Sequence, residues 1–158
     1  PDSRHHNSML VHVTRYVGVQ EVVTEQVENR LREIKDGLGH EHPEESSTLK
    51  DLQKLWEREF VPVIKEVADI RGEEIDDTLI NFPFETIDIA AERITVKRLS
   101  GNSKDSLDYE VAKNIGQSVI AIGGDKLSRG LTLDGLSVSY YSRASRMYDT
   151  LMQMGRWF

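Results

Sequence analysis

Ser118-Val119-Ile120-Ala121-Ile122 runs directly into Gly123-Gly124-Asp125-Lys126-Leu127-Ser128-Arg129-Gly130-Leu131-Thr132-Leu133, and the junction of the two stretches decides the fold. A short, nearly continuous apolar run rich in β-branched residues reads as a strand buried on both faces, the pattern of a parallel sheet. Loops at the carboxyl ends of such strands form the ligand crevice of open α/β sheets, so the glycine pair stands where a binding loop belongs. Gly124 permits close backbone approach, Lys126 and Arg129 supply cations and Ser128 a hydroxyl, all suited to phosphate oxygens. The Gly-x-x-x-x-Gly-Lys-Ser/Thr spacing of a Walker A loop occurs nowhere in the chain. Taken alone, the loop reads equally as an ordinary glycine turn with exposed charges.

Upstream, Met9-Leu10-Val11-His12-Val13 is a second run of the same kind, closed by Gly18. Val23, Val27, Leu31, Ile34 and Leu38 then recur at three- and four-residue steps, which predicts an amphipathic helix over 19–38. After the polar stretch Gly39 to Glu45, Thr48 with Asp51 three residues on is the expected helix start. Leu49, Leu52, Trp56, Phe60, Val63 and Val67 continue at helical spacing, with Pro62 expected to kink or divide the helix. The acidic stretch 69–81 reads as a solvated connection. Ile94 to Leu99 and Ser137 to Tyr141 read as further strands, and Asp149 to Phe158 as a helix with Asp149 at its N-cap. Strands separated by helices or long connections make this an α/β domain around a mostly parallel sheet. Residues 40–92 form a helical insertion or an elaborated crossover within a single domain spanning 1–158.

Composition narrows the function. The 158 residues, 38% of them hydrophobic, suffice for one domain that needs no disulfide or metal staple. Zero cysteines exclude disulfide frameworks, cysteine zinc sites and thiol catalysis. No apolar run approaches the roughly 18 residues that span a bilayer, so a cytoplasmic protein without membrane partners is expected. The net charge of −7 argues against a uniformly basic nucleic-acid coat, but it is unevenly spread. Residues 1–80 hold 10 basic and 18 acidic side chains, whereas Lys126 to Phe158 holds five basic and two acidic, the composition of a phosphate-facing edge. The start at Pro1 and the end at Arg156-Trp157-Phe158 read as cut boundaries, so part of the machinery is expected outside these residues.

The tail supplies the decisive pattern. Arg143 and Arg146 precede Tyr148-Asp149-Thr150-Leu151-Met152-Gln153-Met154-Gly155-Arg156. Strand, Arg-Gly loop, strand, then Gln-x-Gly-Arg is similar to motifs V and VI in the second RecA-like lobe of superfamily 2 helicases and translocases. More narrowly, Ser8 to Arg15, Gly123 to Leu136 and Tyr148 to Phe158 resemble the Z-one domain family, mostly bacterial helicase-like proteins associated with restriction systems and labelled as candidate endonucleases. The resemblance implies a RecA-like C-terminal lobe. In it Thr14 and Arg15 end the motif IV strand near the nucleic-acid backbone, and Gly124, Lys126 and Ser128 face nucleic-acid phosphates. Arg129 and Gly130 link that loop to the nucleotide cleft, and Gln153, Gly155 and Arg156 lie at the nucleotide, with Arg156 reaching its phosphates from the opposite lobe. The implied cofactor is ATP with magnesium in the complete protein and none on this chain alone; the implied partners are the N-terminal RecA-like lobe and DNA. Three departures stand out: Gln153 lies two residues before Gly155 where the superfamily pattern has three, Thr132 stands where many members have Asp, and a second motif VI arginine would fall beyond Phe158. Lacking Walker A and B elements, the isolated chain is not expected to hydrolyse ATP.

Other signals have plainer readings. Glu33-Ile34-Lys35 matches the Glu-x-Lys of nuclease cores, yet it falls inside the helix 19–38, where surface ion pairing explains it. His40-x-His42 beside Glu41, Glu44 and Glu45 lies in a polar loop and is not taken as a metal site. His12 alternates with valines as a core histidine, and Tyr140 and Tyr141 read as packing residues. The rival from another functional class is a non-catalytic α/β module that binds a protein partner through its acidic helical region.

Overall fold

In the computed structural model, which describes residues 5–39, 46–99, 116–124 and 133–142, the run at 118 lies inside a four-stranded sheet. The strands are β1 (Asn7–His12), β2 (Ile94–Leu99), β3 (Ser118–Gly123) and β4 (Leu136–Tyr141), in the spatial order β2-β3-β1-β4. Every neighbouring pair is parallel. This is an α/β fold with an all-parallel sheet flanked by helices, consistent with a RecA-like α/β fold. The two runs richest in buried positions, β1 and β3, are the central pair, because only central strands are covered on both faces.

By contact density the chain divides into two units, Pro1–Arg30 with Arg93–Phe158, and Leu31–Glu92. In the first, the period-two alternation of the strands sorts side chains onto two faces. Val11, Val13 and Ile122 pack with Met9, Val96 and Ile120 beneath Val23 and Val27 of helix α1 (Val17–Leu38). Leu10, Leu99, Ala121 and Leu133 form the other face, with Leu136 and Tyr141 against them. Truncating a side chain as buried as Leu10 or Ile122, 1% and 0% exposed, would cost about 2–5 kcal/mol.

The second unit is helical. Helix α2 (Ser47–Leu55) starts two residues earlier than Thr48 suggests: Ser46 is the N-cap, its Oγ accepting from the Leu49 backbone N–H at 3.3 Å while donating to Gly37 O at 2.6 Å. Thr48 is instead packed against Gly37, where an added Cβ would collide with its Oγ1. A π-helical turn, Trp56–Phe60, then leads into α3 (Val61–Arg71). Pro62 divides the helix as expected, and the wider turn shows how: Val61 N–H reaches back to Trp56 O, and the proline falls in the first turn of α3, where a missing donor costs little. The acidic stretch is partly helical rather than a plain connection, since α3 runs to Arg71 and α4 covers Asp77–Ile80. Asp76 caps α4; the backbone N–H of Thr78, then its hydroxyl, hold the Asp76 carboxyl below the usual carboxylate range. A lowered value means that the cap's contribution is complete above the ordinary carboxylate pKa and fades as pH falls through the lowered one. Trp56 donates from Nε1 to Ile80 O at 3.0 Å and stacks on Phe60, and α5 (Ile87–Glu92) closes the unit.

Candidate functional site

The strand order places a crevice. The connection leaving β1 runs toward β2, across β3, and the connection leaving β3 runs the opposite way, across β1, to β4. Right-handed crossovers in opposite directions lie on opposite faces of a sheet. The packing agrees, with α1 on the Val11 face and Leu133, from the β3 to β4 connection, on the Leu10 face. The carboxyl ends of β1 and β3 are therefore the point where the chain parts to either side, the place at which open α/β sheets bind ligands.

At that point two segments far apart in sequence meet. The Val13 backbone N–H donates to Gly123 O at 2.8 Å, carrying the ladder one residue past β1. Beyond it Gly124 lies so close to the β1 exit that a Cβ there would sit 2.7 Å from Thr14 O and 3.1 Å from the Arg15 Cα. Thr14 turns the chain, its Oγ1 accepting from the Tyr16 N–H at 3.0 Å, and α1 begins at Val17. Arg15 is exposed, its guanidinium 5.5 Å from the centre of the Tyr16 ring.

Gln20 completes the arrangement, and the sequence reading missed it. It is 4% exposed, donates from Nε2 to Thr14 O at 2.9 Å, and its Nε2 lies 2.8 Å from where a Gly124 Cβ would be. Its Oε1 is buried without a hydrogen-bond partner among the described residues. The signal was available: Gln20 stands three residues before Val23, on the inward face of an otherwise apolar helix stripe, where an amide is out of place unless it holds something.

The family model for the Z1 domain, the Z-one domain of the sequence resemblance, matches residues 1–158. The chain belongs to the Z1 domain family. No curated protein and no solved structure matches it. Of the residues that the sequence singles out in this Z1 domain, the described structure brings Thr14, Arg15 and Gly124 together. Lys126, Ser128, Arg129, Gly130, Gln153, Gly155 and Arg156 lie outside the described residues, as do His40, His42 and the Asp149 cap.

The structure describes the residues of one competing signal of the Z1 domain. Lys35 of the Glu-x-Lys triplet sits on α1 and is engaged at the end of α5 rather than along its own helix, donating to Glu92 O at 3.2 Å with its Nζ 3.8 Å from the Glu92 carboxylate. No group of three or more potential metal ligands occurs among the described residues, and no described helix is long and apolar enough to cross a membrane. A shallow groove of about 470 Å³ between α1 and β2, lined by Glu21, Thr24, Glu25 and Glu28 facing Val96, Lys97 and Arg98, contains none of the candidate residues; Arg98 Nη1 pairs with Glu21 there at 2.6 Å.

His12 is fully buried and stacks on Tyr141, ring centres 4.8 Å apart and planes at 20°, so it is a core residue as its valine neighbours suggest. Ser142 donates to His12 O from both its N–H, at 3.0 Å, and its Oγ, at 3.1 Å, fixing the β4 exit against that of β1. The Tyr141 hydroxyl is buried without a hydrogen-bond partner among the described residues. Tyr141→Phe keeps the stack and removes the unsatisfied oxygen, so it is expected to stabilise the fold by about 1 kcal/mol. For a chain of this size that raises the melting temperature by about 2–4 °C in a calorimetric scan; an unchanged or lowered value would show that the hydroxyl is satisfied in solution.

Proposed function

We propose that this Z1 domain is the second RecA-like lobe of an ATP-dependent, helicase-like protein acting on DNA, gripping the nucleic-acid backbone at the carboxyl ends of β1 and β3. The observation that carries the reading is the contact of Gly124 with Thr14 and Arg15. Two loops to which the family resemblance gives backbone contacts, more than a hundred residues apart in the chain, converge where a sheet of this topology binds ligands. Lys126 and Ser128 would extend the grip from Gly124 onward. Arg129, Gly130, Gln153, Gly155 and Arg156 would serve the nucleotide, and the N-terminal lobe would supply the phosphate loop that this chain lacks. ATP with magnesium would provide the energy for opening and closing the lobes; this chain's share is charge on the phosphates. Any nuclease activity would belong to other parts of the complete protein.

Backbone gripping is salt-dependent and largely indifferent to sequence. Arg15→Ala is therefore expected to weaken single-stranded DNA binding about equally across sequences, and to lower the slope of log affinity against log salt by about one. Titrations over a range of salt concentrations measure both. Unchanged affinity and slope, with the fold intact by circular dichroism, would remove the β1 exit from the interface.

A further inference from the structure

Helix α3 carries more apolar surface than its unit buries. Val61, Ile64 and Ala68 form its inward side, with only Ala68 fully covered. Phe60, Val63, Val67 and Ile70 follow at steps of three, four and three residues, which sets them on one continuous line. All four are exposed, at 48%, 55%, 40% and 77%. Single exposed apolar residues are ordinary, but a helical stripe is the pattern by which a helix meets another helix. Glu66 runs along one side of the stripe together with Glu59, the next-to-last residue of the π turn, whose carboxylate accepts from the adjacent Arg58 Nε at 2.6 Å, and residues 46–92 as a whole hold five basic and twelve acidic side chains.

We infer that the Phe60–Val63–Val67–Ile70 stripe docks an amphipathic helix with a basic rim, presented by a partner protein. The apolar line supplies the packing surface and the acidic surround selects the sign of the rim, as in helix-on-helix recognition through anchors at i, i+3 and i+7. A second copy of this chain fits less well. In an antiparallel two-fold pairing along the stripe the same flank meets itself, bringing Glu59 and Glu66 of one copy toward the same glutamates of the other. The proposal is independent of the DNA reading, since it uses none of the residues at the β1 and β3 exits.

The test is fluorescence anisotropy of a short idealised leucine-lysine amphipathic helix titrated with the full chain, against a leucine-glutamate helix of the same pattern. The lysine peptide is expected to bind and the glutamate peptide to fail. Val67→Asp should weaken binding roughly tenfold or more, since one anchoring side chain contributes about that much. Ile70→Ser should act in the same direction at a position too exposed to threaten folding. Ile89→Asp, at an exposure of 61% that falls between those of Val67 and Ile70 but off the stripe on α5, should leave binding unchanged. Equal binding of the two peptides, or equal loss from Ile89→Asp and Val67→Asp, would overturn the assignment. So would concentration-dependent self-association in sedimentation that Val67→Asp abolishes, because the stripe would then belong to a second copy.

Discussion

Gly135→Ala is expected to lower the melting temperature by about 10 °C. Gly135 has φ +66°, a region where an L-residue costs about 1–2 kcal/mol. The greater cost is steric. An added Cβ would run into His6 O and lie 2.6 Å from the His6 carbonyl carbon, and both obstacles are backbone that cannot rotate away. The same glycine accepts from the Ser8 N–H at 2.8 Å, while Ser8 Oγ donates to Asp134 O at 2.8 Å, so displacing the turn unfastens the start of the β1–β4 pairing. Together these amount to about 3–5 kcal/mol, and each kcal/mol lowers the melting temperature by about 2–4 °C at this chain length. Gly72→Ala is the control. Its φ is +64° as the αL cap of α3, but nothing lies within 4 Å of an added Cβ, so it should lose only the conformational share. If the two variants melt together, the close approach of the 135 turn to His6 is not a constraint.

The largest expected functional effect is that of Arg156→Ala in the complete protein. In the motor reading its guanidinium offsets charge on the nucleotide phosphates from the opposite lobe, an interaction that in phosphoryl transfer is worth about 10³–10⁵ in turnover. DNA-stimulated ATP hydrolysis should therefore fall about a thousandfold or more while ATP binding, held mainly by the first lobe, persists. Unchanged turnover by a folded variant would reduce the helicase likeness to architecture and leave the acidic helical unit as the functional part of the chain.

What could be read from the sequence follows from which physical signals are local. β1 and β3 were legible because central parallel strands must be apolar on both faces, and α1 because one helix face must cover them. The strand order was not, since no periodicity records that β3 inserts between β1 and β2. The Ser46 cap was hidden by Thr48, an equally good capping type two residues later; the choice was made by Gly37, whose missing side chain lets Thr48 pack there and whose carbonyl takes the Ser46 hydroxyl. Of the candidate site, Thr14, Arg15 and Gly124 were found through motif resemblance, and their convergence follows from neighbouring strands ending at one edge. Gln20 is not legible from the apolar period that defines α1, because an amide adds nothing to a hydrophobic stripe; its part follows from the bond of its Nε2 to Thr14 O.

The π turn at Trp56–Phe60 sets a phase. Each residue advances an α-helix by about 100°, and a turn that spends one residue more leaves everything after it about 100° behind. The direction in which Phe60, Val63, Val67 and Ile70 point is thus fixed less by their own identities than by a single surplus residue upstream. Deleting one residue of the turn would rotate the whole of α3 as a screw, carrying the apolar line to a new bearing while leaving its composition untouched.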